Sequence, residues 1–266
     1  MSEDKKTLID LVPESIDNAV KNITDKPTQN VGTTLADIWY LVFGGISQSA
    51  EKRKLKYSYA LQEFENELQE KISKIPEDKL VEPDIQIIAP ALESSKYCIM
   101  NKYLRKMFCN YISSCMNIDT SDFSQTMFID VLKNLKPFEC KMLFSIYYNS
   151  EFKMHVQLKN ISLLNIFFQI AITLNKLDSY GLIKVEPIRQ DYTQKEYNQL
   201  LKYIQNNQIG KALQFFNIDN FLSFKSYPKE NKNILIVKIK FQALPITPLG
   251  FSFKRVCIDW HLNLKY

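Results

Sequence analysis

The sequence predicts a mainly α fold with a small β-hairpin, built as a helical N-terminal half and a winged-helix-like C-terminal half. Three observations lead there. Apolar residues recur at three- and four-residue steps through most of the chain, the period of a helix with one buried face. Glycine is scarce, at six in 266 residues, in a chain otherwise rich in the good helix formers Leu, Lys and Glu. One stretch, 233–243, drops the helical period and alternates instead, which is the signature of a strand.

The elements follow in order. Residues 7–23 place Leu8, Leu11, Val12, Ile16, Val20 and Ile23 near helical spacing, and Lys26-Pro27 breaks that helix, because the residue before proline avoids the helical region. Residues 33–48 form an apolar helix, with Gly44-Gly45 as its weak point. Residues 50–75 form a longer one, with a stripe of Leu61, Phe64, Leu68, Ile72 and Ile75. Its outer face is expected to carry the i,i+4 pairs Glu67–Lys71 and Glu70–Lys74. Pro76 ends it. Residues 80–94, with Pro83 and Pro90, predict a short helix or turn. Residues 95–116 predict one amphipathic helix whose face runs from Tyr97 and Met100 through Met107, Phe108 and Tyr111 to Cys115, with Asn117 as the stop.

In the second half Asp122 is expected to cap a helix holding Phe128, Val131, Leu132 and Leu135. Lys136-Pro137 opens the next, with proline in a first turn where its missing N–H costs nothing, and it runs to about Asn149. Ser162 is expected to cap a third helix that ends at Tyr180-Gly181, where glycine suits the left-handed cap. Leu182 to Ile188 reads as a strand. Thr193 and Glu196 form a capping box for a helix to about Gln205, and a short helix covers 208–216. Segments 221–227 and 233–243 read as a hairpin, with Leu235, Val237, Ile239 and Phe241 on one face and Ile234, Ile236, Lys238, Lys240 and Gln242 on the other. Thr247-Pro248 starts a last helix with Leu249, Phe253, Val256, Cys257 and Trp260 as its apolar side. Three helices, a strand, a two-stranded wing and a final helix follow a winged-helix order. The expected domains are 1–118, helical, and 119–266, winged-helix-like with an insertion at about 188–232.

Composition narrows the function classes. Hydrophobic residues make up 45%, enough for a sizeable core. The net charge of +5 is mild, and only Arg53, Arg105, Arg189 and Arg255 are arginines. Readers of specific DNA sequence lean on arginine for bidentate contacts, so nucleic acid is not the favoured partner. The five cysteines, Cys98, Cys109, Cys115, Cys140 and Cys257, are odd in number and set among apolar neighbours. With a polar start at Met1 to Asp10, they read as reduced thiols of a cytoplasmic protein. Leu35 to Ile46 is apolar but shorter than the ~20 residues a spanning helix needs.

Three segments resemble the abortive-infection alpha family. They are Ile75-Pro76-Glu77-Asp78-Lys79-Leu80 with Glu82-Pro83 and Pro90-Ala91-Leu92-Glu93; Tyr103-Leu104-Arg105-Lys106-Met107-Phe108-Cys109-Asn110-Tyr111-Ile112 with Ser114-Cys115-Met116-Asn117; and Ile246-Thr247-Pro248-Leu249-Gly250 with Phe253 and Cys257. Their order and spacing extend the resemblance over most of residues 31–259. Lys106 stands where that family carries an acidic residue, and 188–232 departs most. The resemblance implies bacterial defence against phage by sacrifice of the infected cell. It brings no catalytic residues with it.

A zinc site needs three or four convergent Cys, His or carboxylate ligands, yet only His155 and His261 exist and no Cys-x-x-Cys occurs; no metal and no cofactor are expected. Neither a Gly-x-Ser-x-Gly nor a phosphate-cradling glycine loop is present. A Cys98 or Cys140 pair with His155 has no support in the spacing. Arg255 and His261 resemble the Arg-x(4–6)-His motif of the HEPN ribonucleases, in which Arg holds the phosphate and His transfers protons. Chance alone gives such a spacing in about one sequence in ten of this composition. The helix from Ser162 to Tyr180 holds the recognition position of a winged helix, but Lys176 is its only basic residue, so it does not look like a groove reader. Leu35 to Ile46, with Trp39, Tyr40 and Phe43, suits either a membrane surface or protein contact, and a core helix packed on 50–75 is the plainer expectation. The favoured reading is therefore a non-enzymatic interaction protein with a protein partner or a second copy of itself, ahead of an RNase or a membrane-acting toxin.

Overall fold

In the computed structural model the residues described are 29–43, 51–148, 150–157, 160–185, 193–206, 208–215, 222–228, 234–241 and 244–258. The predicted helix 7–23, the Gly44-Gly45 weak point and Trp260 lie outside them. The described chain is mainly helical. It divides into two compact units, 1–137 with 252–266, and 138–251. The sequence put the boundary at 118/119. The structure puts it near Pro137 and sends the last segment back to the first unit, because Phe253, Val256 and Cys257 are fully buried there.

The first unit begins with α1 (Gln29–Phe43) and α2 (Glu51–Ile72). A short 3-10 turn (Glu77–Lys79) leads to α3 (Ile85–Ser95), α4 (Lys102–Cys115) and α5 (Met127–Asn134). Asp84 caps α3 by accepting from the Gln86 N–H at 2.8 Å. The single helix expected over 95–116 is instead a turn followed by α4. Asn101 stops the merger, since its side chain accepts from the Tyr103 N–H at 2.9 Å and fixes α4's start as an N-cap does. Tyr97 and Met100, expected on the buried face, are 84% and 53% exposed. Asp122 does not cap α5 either. It sits in a separate 3-10 turn, Ser121–Phe123, and Thr126 precedes α5 without a side-chain cap. Helices α2, α3 and the C-terminal turn Lys254–Ile258 all pack on α4, making it the axis of the unit.

The second unit holds most of α6 (Pro137–Tyr147), then β1 (Glu151–Gln157), α7 (Asn160–Ser179), α8 (Gln194–Gln205), α9 (Ile209–Phe215), β2 (Leu222–Pro228) and β3 (Ile234–Phe241). The hairpin gains a third strand: β1 pairs antiparallel with β3, giving the order β1-β3-β2. The sequence pattern predicts no strand at 151–157. Of the strand expected at 182–188, the described part makes only an isolated bridge, Ile183 to Ile246. The alternation of β3 holds, with Val237, Ile239 and Phe241 buried. So does the capping box of α8: the Thr193 N–H donates to Glu196 Oε2 at 2.9 Å, and the Glu196 N–H donates to Thr193 Oγ1 at 3.3 Å. The helix α10 (Pro248–Phe253) runs into a π-helical turn over Lys254–Ile258.

Candidate functional site

The first two segments that carry the family resemblance, and Cys257 of the third, come together around the C-terminal end of α4. The first pairs with the second as backbone: the Val81 N–H donates to the Met116 carbonyl at 3.0 Å, and the Ile118 N–H donates to the Lys79 carbonyl at 2.9 Å. From the second, Asn110 Nδ2 donates to the carbonyls of Cys257 (2.9 Å) and Ile258 (3.1 Å), and Ser114 Oγ donates to the Val256 carbonyl at 3.1 Å. These are the carbonyls a helix end leaves without intrahelical partners, so α4 supplies the cap for the C-terminal turn through side chains one helical turn apart.

The outer rim of this junction is polar. Lys79 Nζ meets Asp119 Oδ2 at 2.7 Å with both side chains partly exposed, and this hydrogen bond holds the Lys79 ammonium above its ordinary pKa. Arg255, one of the two candidate catalytic residues, lies beside it. Its Nη2 donates to the Asp119 carbonyl at 3.1 Å, and the guanidinium lies 4.2 Å from the centre of the Phe123 ring. That is a cation–π contact. His261 lies outside the described residues, so the structure places one member of the Arg–His pair only.

On its other side α4 carries a buried charge. The Arg105 guanidinium meets Glu63 Oε2 at 2.5 Å and Glu67 Oε1 at 3.2 Å, and also donates to the Ile99 carbonyl. Glu67 is thus turned toward α4 rather than outward as the helical pattern suggested, whereas Glu70 and Lys74 do pair on the surface at 2.5 Å. Cys109 lies next to this cluster, with its thiol 3.6 Å from the Phe64 carbonyl. Burial and the Glu67 charge push that thiol well above its ordinary pKa. Burial also raises Cys98, moves Cys115 up to about 11 and lifts Cys257 well above the usual thiol range. A thiol kept protonated is a poor nucleophile and a poor metal ligand. All five cysteines are buried and none is joined in a disulfide. Neither Cys98 nor Cys140 can be placed against His155, whose side chain is not described. Among the described residues no group of three or more His, Cys, Asp or Glu is arranged to hold a metal.

Trp39 and Phe43 are both fully buried, while Tyr40 is half exposed. The Trp39 ring stacks on Phe64 of α2 at 5.3 Å and meets Phe43 at 4.6 Å. These two rings are thus used in the packing of α1 on α2. Among the described residues no helix is long and apolar enough to cross a membrane.

One feature was missed in the sequence. A cleft of about 310 Å³ opens between the ends of α3 and α5, lined by Glu93, Ser94, Tyr97, Cys98, Lys133 and Asn134. Reading 95–116 as one helix concealed it by turning Tyr97 inward; the Asn101 cap signal would have exposed it.

The sequence profile of the family described as Abortive infection alpha matches residues 56–257. No curated protein and no solved structure matches the chain.

Proposed function

The chain belongs to the abortive infection alpha family, and from that premise we propose that it is a bacterial antiphage defence protein working in the cytoplasm through non-enzymatic contact with a protein partner. The observation that carries the mechanism is the way α4 is used. Its polar side chains Arg105, Asn110 and Ser114 are spent on internal contacts, and what faces solvent at the junction is a mixed-charge rim of Lys79, Asp119 and Arg255. Such a rim suits recognition of a folded protein of complementary charge. Arg255 is engaged by Phe123 and Asp119, which argues against its serving as a phosphate clamp. The winged-helix-like character of the second unit belongs to the same reading. It is supported by the sequence α6-β1-α7 followed by the β2–β3 hairpin, and by the antiparallel order β1-β3-β2.

The test is a phage challenge of cells expressing the full chain. Plaque counts should fall while infected cells die early, and the combined Lys79→Glu and Asp119→Lys variant should lose protection at unchanged expression. Restriction of phage with full survival of the infected cells would overturn the abortive reading. RNA cleavage by the purified chain that disappears in Arg255→Ala would overturn the non-enzymatic one.

A further inference from the structure

We propose, resting on the protein-contact reading of the rim, that this rim closes on the same rim of a second copy of the chain as a two-fold dimer. All of its residues belong to the first unit. Leu80 and Asn117 form an antiparallel bridge, and the Ile118 N–H donates to the Lys79 carbonyl at 2.9 Å. Residues opposed in an antiparallel pair share a side, so Ile118 stands beside Lys79. Asp119 follows Ile118 in the chain and reaches back to Lys79 Nζ at 2.7 Å. Arg255 donates to the Asp119 carbonyl and lies on the Phe123 ring. These contacts make one continuous strip of Lys79, Ile118, Asp119, Arg255 and Phe123. Ile118 is 57% exposed and Phe123 36%. Two large apolar side chains exposed within one charged strip give it the make-up of a contact surface.

The signs of the charges select the occupant. Lys79 and Arg255 stand among Glu77, Asp78, Asp119 and Asp122, which are exposed, so cations and anions are mixed within one small area. A basic partner meets Lys79 and Arg255, and an acidic one meets the carboxylates; each is repelled by part of the strip. The occupant must carry both signs at the spacing of the Lys79–Asp119 pair. A second copy turned about a two-fold axis does so, because such an interface brings residue i against j and j against i. Lys79 of each copy then faces Asp119 of the other, and the two surface dipoles run antiparallel. The internal Lys79–Asp119 pair is kept as half of a four-charge ring, so no existing contact has to break. Exposed ion pairs stabilise little by themselves. Ile118, close to the axis, supplies apolar contact, and the charges fix the orientation.

Analytical ultracentrifugation of the full chain between about 1 and about 200 µM tests it, a range that spans the affinities of small interfaces. The wild type should show a monomer–dimer equilibrium that weakens as salt is raised. Lys79→Glu and Asp119→Lys each set like charges against one another across the axis, and each should weaken dimerisation at least about tenfold. Mixed in equal amounts, those two variants should pair with each other more tightly than either pairs with itself, a recovery that misfolding cannot produce. Ile118→Asn should weaken the dimer with the melting temperature of the dilute chain unchanged. The combined Lys79→Glu and Asp119→Lys chain sets its new cation beside Arg255 in each copy, so it should dissociate as well. Overturning results are a wild type that stays monomeric throughout, single variants that dimerise as the wild type does, or a mixture no tighter than its parts. A monomeric wild type whose rim variants still lose phage protection overturns the dimer alone, the rim then meeting a different protein. A dimeric wild type whose monomeric variants keep protection supports the dimer and overturns the protein-contact mechanism.

Discussion

Arg105 illustrates what a charge costs inside this fold. Its side chain is 8% exposed and lies between Glu63 and Glu67, which solvent still reaches in part. Removing one partner of a buried ion pair typically costs 3–5 kcal/mol. Arg105→Ala should therefore cost about 3 kcal/mol, at the lower end because both carboxylates regain water; denaturant unfolding measures it, and a loss under about 1 kcal/mol would show the cluster to be incidental. Glu65 gives the complementary case. It lies among the buried residues of α2, and burial moves its carboxyl from 4.5 up to about 7. A raised carboxyl pKa means that the folded state holds the proton more tightly than the unfolded chain does. Its contribution to stability is thus fully present below about 4.5 and lost as the pH climbs to about 7. The stability of Glu65→Gln relative to the parent should rise across that window and level off above it. A difference that stays flat between pH 4 and 8 would refute the burial of an ionisable group there.

Gly250 and Thr247 fix the start of α10 against a distant stretch of backbone. A Cβ on Gly250 would lie 1.8 Å from the Leu182 carbonyl oxygen, so the helix can approach that backbone only with glycine. Thr247 Oγ1 accepts from the Gly250 N–H at 2.9 Å and donates to the Gly181 carbonyl, while Gly181 itself has φ of +69°. Gly250→Ala should cost about 2–3 kcal/mol because backbone must move. Gly181→Ala should cost only about 1–2, the usual penalty of a left-handed residue with a side chain. Thermal unfolding of the two variants checks the ranking, and the reverse order would be inconsistent with this packing. The Thr-Pro-Leu-Gly segment was legible as a helix start because capping is local. The backbone approach that requires its glycine was not, since Leu182 lies far away in the sequence. Likewise the α8 capping box was readable from Thr193 and Glu196 alone, whereas β1 went unseen. Its alternation over Glu151–Gln157 is short, and its partner β3 lies some eighty residues downstream.

At the scale of the whole chain, the first unit is closed by residues from the far C-terminal end. Phe253 meets Phe128 edge-on at 5.2 Å, and Asn110 and Ser114 hold the Val256–Ile258 turn. Burying a phenylalanine is worth about 3–5 kcal/mol against alanine. A chain ending at Phe251 should therefore lose more stability in the first unit than any single substitution above. Hydrogen exchange would show it as lost protection along α4; protection equal to that of the full chain would mean that the turn is dispensable. By itself the sequence determined the helical class, the family and the elements whose signals are local: caps, proline breaks and the periods of single helices. Only the tertiary structure decided the boundary at Pro137, the return of the C-terminal turn, the inward pairing of Glu67 with Arg105 and the addition of β1 to the hairpin. Each of those depends on contacts between segments distant in the chain. Such contacts are chosen by packing and by the pairing of buried polar groups, and neither leaves a periodic trace in one dimension.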